Sequence, residues 1–210
     1  YEVKRLFKGF KTYLDIYDSF NLLGPKTLLA HGIYVNEKDL EKLSQKEVSI
    51  IHCPTSNSFL GSGIFPYKLY KKYKLKIALG SDIGAGTSLS MWKTMLEAYN
   101  LQRLSGFNFT PYELLYYATL GGAKALGLDN CIGSFAPKKE ADFQILCPYR
   151  NSLLKAKFYK LNSLKEKLFS LIPLADDRIT NKVYIKGNCV YSSHCNCILN
   201  KKCVKHHEQR

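Results

Sequence analysis

Three short apolar runs each lead into a residue able to do acid–base or metal chemistry, and that repetition limits the fold more than any other feature of the chain. Thr27-Leu28-Leu29-Ala30 ends in His31, Val48-Ser49-Ile50-Ile51 ends in His52, and Leu75-Lys76-Ile77-Ala78-Leu79 leads through Gly80-Ser81 to Asp82. Runs of this length and character read as buried strands, and the Gly or Pro soon after each lets the backbone turn. Between the first two runs Asn36 suits an N-cap, Glu37 and Asp39 place negative charge in the first turn, and Leu40 and Leu43 fall at helical spacing. A helix within residues 36–47 is therefore predicted. A loop over 53–65 and a helix over 66–73, with Pro66 at its first helical position, separate the second run from the third. Strands alternating with helices imply a parallel sheet. In a (β/α)8 barrel the active site forms at the carboxyl ends of the strands, so His31, His52 and Asp82 are the residues to explain.

Residue type alone leaves their roles open. Imidazole and carboxylate are suitable zinc donors, so all three could be ligands. Asp82 equally suits the capping of the turn that follows it, and a strand-end histidine is commonly structural. Thr55, Ser56 and Asn57, in the stretch after His52, can hydrogen-bond backbone and brace a site, which makes them scaffold rather than catalysts. Gly84-Ala85-Gly86 is neither a dinucleotide fingerprint nor a phosphate loop, because the third glycine and the Gly-Lys-Ser/Thr ending are missing. The His-x-Glu and Pro-Cys-x-x-Cys signature of one zinc deaminase class is absent as well.

Downstream, Thr110-Pro111-Tyr112-Glu113 is a capping box with proline at the first helical position, so a helix starts there and runs towards Leu120, and Gly127 ends the short helix after it. Ala141 to Leu146 alternates enough for a strand. Val183-Tyr184-Ile185 and Val190-Tyr191 flank a Lys186-Gly187-Asn188 turn and predict a hairpin.

The segments Ala30-His31-Gly32, His52-Cys53-Pro54-Thr55-Ser56-Asn57-Ser58-Phe59-Leu60-Gly61-Ser62-Gly63, and Gly80-Ser81-Asp82 through Ser88-Leu89-Ser90-Met91 together resemble the guanine deaminases of the metal-dependent amidohydrolase superfamily. Order and spacing agree with that family, as do Ala118 to Leu128 and, later, Asp176-Asp177-Arg178 with Val183 to Gly187, so the resemblance covers roughly residues 1–190. It implies an α/β fold: the C-terminal part of a (β/α)8 amidohydrolase barrel over residues 1–136, then strands of a small β-sandwich with a connecting helix over 137–191. It implies hydrolytic deamination of guanine to xanthine and ammonia with one Zn2+ per active site. Asp82 matches the aspartate that ligates the zinc and takes a proton from the attacking water, so it is expected to serve as metal ligand, catalyst and substrate contact. His31 matches the histidine that holds the water or the substrate, and is expected to be catalytic and substrate-binding. The family does not use the position of His52 as a ligand, so His52 is expected to support the loop after it.

A complete barrel takes about 250 residues, and the family's first-strand His-x-His pair and its His-x-x-Glu are not found in this sequence. The chain therefore reads as a C-terminal piece, inactive by itself, whose exposed sheet edges favour aggregation. Tyr1 to Phe7 already reads as helix, with Val3, Leu6, Phe7 and Phe10 on one side. With 46% hydrophobic residues and no apolar run long enough to span a bilayer, the composition is that of a soluble globular protein without a membrane partner. Seven scattered cysteines, an odd count, with Cys147 and Cys189 inside apparent strands, point to a reducing cytoplasm.

A net charge of +14 invites a nucleic-acid reading. The lysines, however, are spread along helix faces (Lys38, Lys42, Lys46; Lys68, Lys71, Lys72; Lys155, Lys157, Lys160), as solvated exteriors are, so no nucleic-acid partner is expected. His194, Cys195, Cys197, Cys203, His206 and His207 crowd the tail over 192–210, but their spacing matches no standard zinc finger and a disordered polar tail is expected. The partners expected are a small purine and, for the full-length protein, a second copy in a homodimer. A related amidohydrolase acting on another heterocyclic amine, a non-catalytic relative, and a basic nucleic-acid-binding protein are the alternatives.

Overall fold

The computed structural model describes residues 5–193 and divides the chain into two compact units, Tyr1–Gly133 and Ser134–Arg210. Helix α1 (Tyr13–Ser19) opens the first unit, followed by β1 (Leu28–Ala30), α2 (Glu37–Gln45), β2 (Ser49–His52), α3 (Pro54–Phe59), α4 (Tyr67–Lys72), β3 (Lys76–Leu79), α5 (Met91–Leu104), α6 (Pro111–Ala118) and α7 (Leu120–Ala125). The three strands form one parallel sheet in the order β1-β2-β3, with Ala30 level with Ile51 and His52 level with Leu79. The alternation read from the sequence is thus realised as a parallel sheet. Central β2 is the most buried strand and β1 the least.

Local chemistry explains most boundaries. Asn36 caps α2 by accepting from the Asp39 backbone N–H while the Asp39 carboxylate accepts from the Asn36 backbone N–H, a reciprocal capping box. Leu40 and Leu43 are buried to 1% exposure or less, each gaining about 1.5–3 kcal/mol from leaving water. Thr110 and Glu113 form the capping box expected for α6. That helix stops at Thr119, whose φ of −130° and ψ of −95° break it before Leu120. Gly127, at φ +68°, follows the end of α7 as expected.

Three expectations need correction. Residues 54–59, read as loop, form helix α3. Proline starts that helix, and its Thr and Asn side chains bond to groups elsewhere in the chain, so they do not compete with their own backbone. Pro66 is the residue before α4 rather than its first helical position. Helical geometry near the amino end is confined to Arg5 and Leu6 among the described residues, and Leu6, Phe7 and Phe10 are exposed there; Val3 lies outside the described residues.

The second unit contains β4 (Phe143–Leu146), α8 (Ser152–Phe158), α9 (Leu164–Leu174), β5 (Thr180–Ile185) and β6 (Asn188–Ser192). Its strands make an antiparallel sheet in the order β4-β5-β6. The predicted hairpin is present, with Lys186 at φ +50° and Gly187 at φ +77° as its two-residue turn. Phe143 on β4 stacks on Tyr184 on β5 with centroids 4.6 Å apart. Cys147 is buried but sits one residue past β4, and Cys189 lies in β6 but is exposed. The tail residues 194–210 lie outside the described residues. No helix among the described residues is long and apolar enough to cross a membrane.

Asn151 ties this unit together. Its Oδ1 accepts from the Leu153 and Leu154 backbone N–H groups at the start of α8, and its Nδ2 donates to the Leu174 carbonyl and the Asp176 carboxylate, each at 3.1 Å. Replacing it removes a cap and takes this partner from the buried Leu154 N–H and the half-buried Leu174 carbonyl. Asn151→Ala is expected to destabilise the protein by about 2–3 kcal/mol, read as a lower denaturant midpoint at unchanged slope.

Candidate active site

Parallel pairing brings the three strand ends to one edge of the sheet, and the backbone ladder continues one step past the strands. His31 N–H donates to the Ile51 carbonyl at 2.9 Å and Gly80 N–H to the His52 carbonyl at 3.0 Å. The segments carrying His31 and Asp82 therefore leave the sheet on either side of β2. Both residues then take left-handed backbone, His31 at φ +69° and Asp82 at φ +48°. His and Asp tolerate that region better than most residues but remain uncommon there, and such conformations concentrate at functional sites.

The turn brings their side chains together. His31 Nε2 lies 3.8 Å from Asp82 Oδ2, with the two side chains 43% and 35% exposed, so the pair faces open space. Helix α3 braces both sides. Asn57, 1% exposed, holds His31 Nδ1 at 2.9 Å through its Oδ1, and the Thr55 hydroxyl donates to the Ser81 carbonyl at 3.3 Å beside Asp82. Glycine is required at two flanking points. A Cβ on Gly32 would collide with the Tyr70 hydroxyl, which donates to the Gly32 carbonyl at 2.8 Å, and one on Gly86 would enter the Ser81 carbonyl inside the turn after Asp82.

His52 is kept from this pair. It is the last residue of β2, so the alternation of the strand turns it to the same side as Ile50. Its ring is 1% exposed and stacks on Phe65 at 4.4 Å, and Phe65 stacks in turn on Tyr70. Neither ring nitrogen has a hydrogen-bond partner among the described residues, and burial lowers its pKa from 6.5 to about 3. Burial holds the Cys53 thiol above its ordinary pKa, partly offset by a hydrogen bond from the His31 backbone and reinforced by the negative charge of Asp82, which disfavours the thiolate.

His31 and Asp82 supply an imidazole nitrogen and a carboxylate oxygen on one open face, two donor types that zinc accepts. Among the described residues no group of three or more His, Cys, Asp or Glu side chains comes together. The pair fits part of a metal site, short of the usual three or four protein ligands. Sequence reasoning identified the pair and placed Asn57 in the scaffold. It missed that Asn57 touches His31 itself, because the contact depends on α3 being a helix.

The chain carries a parallel α/β sheet with histidine and aspartate converging at its carboxyl edge, and it belongs to the amidohydrolase family, whose model matches residues 1–190. It is 43% identical to the guanine deaminase of Escherichia coli strain K12 over 189 residues, 90% of this chain and 43% of that protein. The solved E. coli guanine deaminase superposes with a TM-score of 0.89, over 91% of this chain and 45% of that one. A guanine deaminase from C. acetobutylicum with guanine bound in its active site is 32% identical, with a TM-score of 0.79 over 90% of this chain and 45% of that one. An adenosine deaminase from Xanthomonas campestris with bound zinc is 26% identical, with a TM-score of 0.76 over 90% of this chain and 42% of that one. The chain has the amidohydrolase fold and spans a little under half the length of these relatives.

Two outcomes follow from the backbone and the burial described above. Asp82→Gly and Asp82→Asn both suit positive φ and are expected to leave stability within about 0.5 kcal/mol or raise it, whereas Asp82→Val lowers it by about 1–2 kcal/mol in chemical unfolding. His52 folds neutral, and the unfolded chain takes up a proton near pH 6.5 while the folded one holds out to about 3. Its contribution is thus intact above pH 6.5 and lost as pH falls towards 3, with a slope of up to about 1.4 kcal/mol per unit. His52→Phe, which keeps a ring on Phe65, is expected to flatten that part of the stability curve.

Proposed function

We propose that the protein carrying this chain hydrolyses guanine to xanthine and ammonia with a single zinc ion. The observation that carries this reading is the convergence of His31 and Asp82 at the carboxyl edge of the sheet, in a chain 43% identical to a guanine deaminase. The related guanine deaminase with bound guanine supports the substrate, and the related deaminase with bound zinc supports the metal. Asp82 would hold the ion beside His31. The other ligands and the purine-reading side chains would come from the part of the fold that these residues do not span. The metal, when bound, supplies Lewis acidity that lowers the pKa of water from 15.7 to about 7.

This chain's own residues then handle orientation and protons. Asp82 accepts a proton from the attacking water as the water oxygen bonds to the ring carbon bearing the amino group. The ring C=N π pair moves onto the ring nitrogen as that bond forms. Its return breaks the carbon–nitrogen bond, the nitrogen leaves as ammonia with the proton that Asp82 carried, and the remaining hydroxyl proton passes to the ring nitrogen to give the carbonyl of xanthine. His31 orients the water or the base through Nε2. The first unit serves as the barrel portion and the second as the sandwich portion. Five helix-face ion pairs, Lys42 with Asp15 and Asp18, Lys46 with Asp18, Lys71 with Glu113 and Lys72 with Glu37, support a solvated exterior for those lysines rather than a nucleic-acid surface. A cytoplasmic homodimer is the proposed form of the full-length protein.

The test is ammonia release by full-length protein loaded with zinc. Guanine should be turned over in preference to adenosine, a chelator should stop the reaction and zinc should restore it. Asp82→Asn should lower kcat by at least about 10²–10⁴-fold. Undiminished turnover by Asp82→Asn would sink the mechanism, and preference for adenosine would sink the substrate.

A further inference from the structure

We propose that Asn57 is a positioning residue that sets the tautomer of His31, keeping the proton on Nδ1 and presenting Nε2 as a bare acceptor beside Asp82. Asn57 Oδ1 lies 2.9 Å from His31 Nδ1, and a carbonyl oxygen only accepts, so the bond exists when Nδ1 carries the hydrogen. A neutral imidazole has one such hydrogen, and Nε2 is then left with its lone pair. Nε2 faces the Asp82 carboxylate at 3.8 Å, beyond hydrogen-bond reach. Two acceptors facing each other across that gap repel unless a cation or a proton donor lies between them. The imposed tautomer therefore prepares the site for a group of that character. Its use in deamination rests on the function proposed above; the tautomer itself does not.

The brace is stiff for stated reasons. Asn57 is 1% exposed on a helix whose neighbouring Thr55 is tied to the Ser81 carbonyl, which fixes where the amide sits, and its oxygen is the atom turned to His31 while its nitrogen has no hydrogen-bond partner among the described residues. The ring it holds stands on a left-handed residue whose backbone N–H is fixed to β2. The residue therefore acts on His31 from behind, away from the open face.

The experiment labels full-length protein with 15N at histidine alone and records the ring nitrogens, with the His31 signals assigned by difference against His31→Asn. Wild type should show Nδ1 protonated. Asn57→Asp, which keeps an acceptor oxygen in place, should do the same. Asn57→Leu should show the proton shared between the two nitrogens, with kcat reduced about 10–100-fold and KM changed much less. An Nε2-protonated His31 in wild type overturns the proposal, as does an unchanged His31 pattern in Asn57→Leu. The wild-type spectrum decides even if Asn57→Leu fails to fold. Nδ1 protonation in a protein that does not turn over guanine would uphold the tautomer assignment and reject the function instead.

Discussion

Everything in the first unit depends on the pairing of β2 with a parallel strand on each side. A parallel ladder makes all three chains leave the sheet in the same direction, and it fixes their level through Ala30 against Ile51 and His52 against Leu79. A one-residue slip would turn every side chain of the displaced strand to the opposite face. The bonds from His31 N–H to the Ile51 carbonyl and from Gly80 N–H to the His52 carbonyl extend this control just beyond the strands. The distance between His31 and Asp82 is therefore set by backbone hydrogen bonds before any side chain chooses a rotamer.

The buried polar groups show what that arrangement costs. Ser49, His52, Ser56 and Asn57 each hold buried side-chain atoms without a hydrogen-bond partner among the described residues, and all lie on β2 or α3. Unpaired buried groups cost about 1–3 kcal/mol each. Two uncommon backbone conformations, at His31 and Asp82, add to the strain in the same region. Buried polar groups and uncommon backbone angles thus gather on the elements that hold the site, a pattern expected where a fold supports chemistry as well as packing.

Much of this was legible in sequence because it depends on short-range chemistry. Asn36, Thr110 and Gly127 announce helix ends through caps that need only neighbouring residues, and the aliphatic runs announce the strands. Helix α3 was hidden because Thr, Ser and Asn favour turns when their side chains are free, and only the folded chain engages Thr55 and Asn57 elsewhere. Helix α5, the longest among the described residues, was not singled out either, since its buried face includes Thr94 and Gln102. Gln102 is buried because its Nε2 donates to the Phe65 carbonyl at 2.7 Å, a long-range partner with no local signature.

His31 and His52 mark the limit of sequence reading most clearly. Both follow an aliphatic run and both sit at the same level of the sheet, since Ala30 pairs with Ile51. Their fates differ through what comes next. Gly32 follows His31 at φ +59°, and the pair of left-handed residues swings the imidazole off the strand line towards Asp82. Cys53 and Pro54 follow His52; the strand stays regular through His52, and its alternation sends the ring to the side of Ile50, Phe65 and Tyr70. One histidine is left open and braced, and the other buried and neutral. Residue type and position in the run were identical, so the difference in chemistry lies in the backbone angles that the following residues allow.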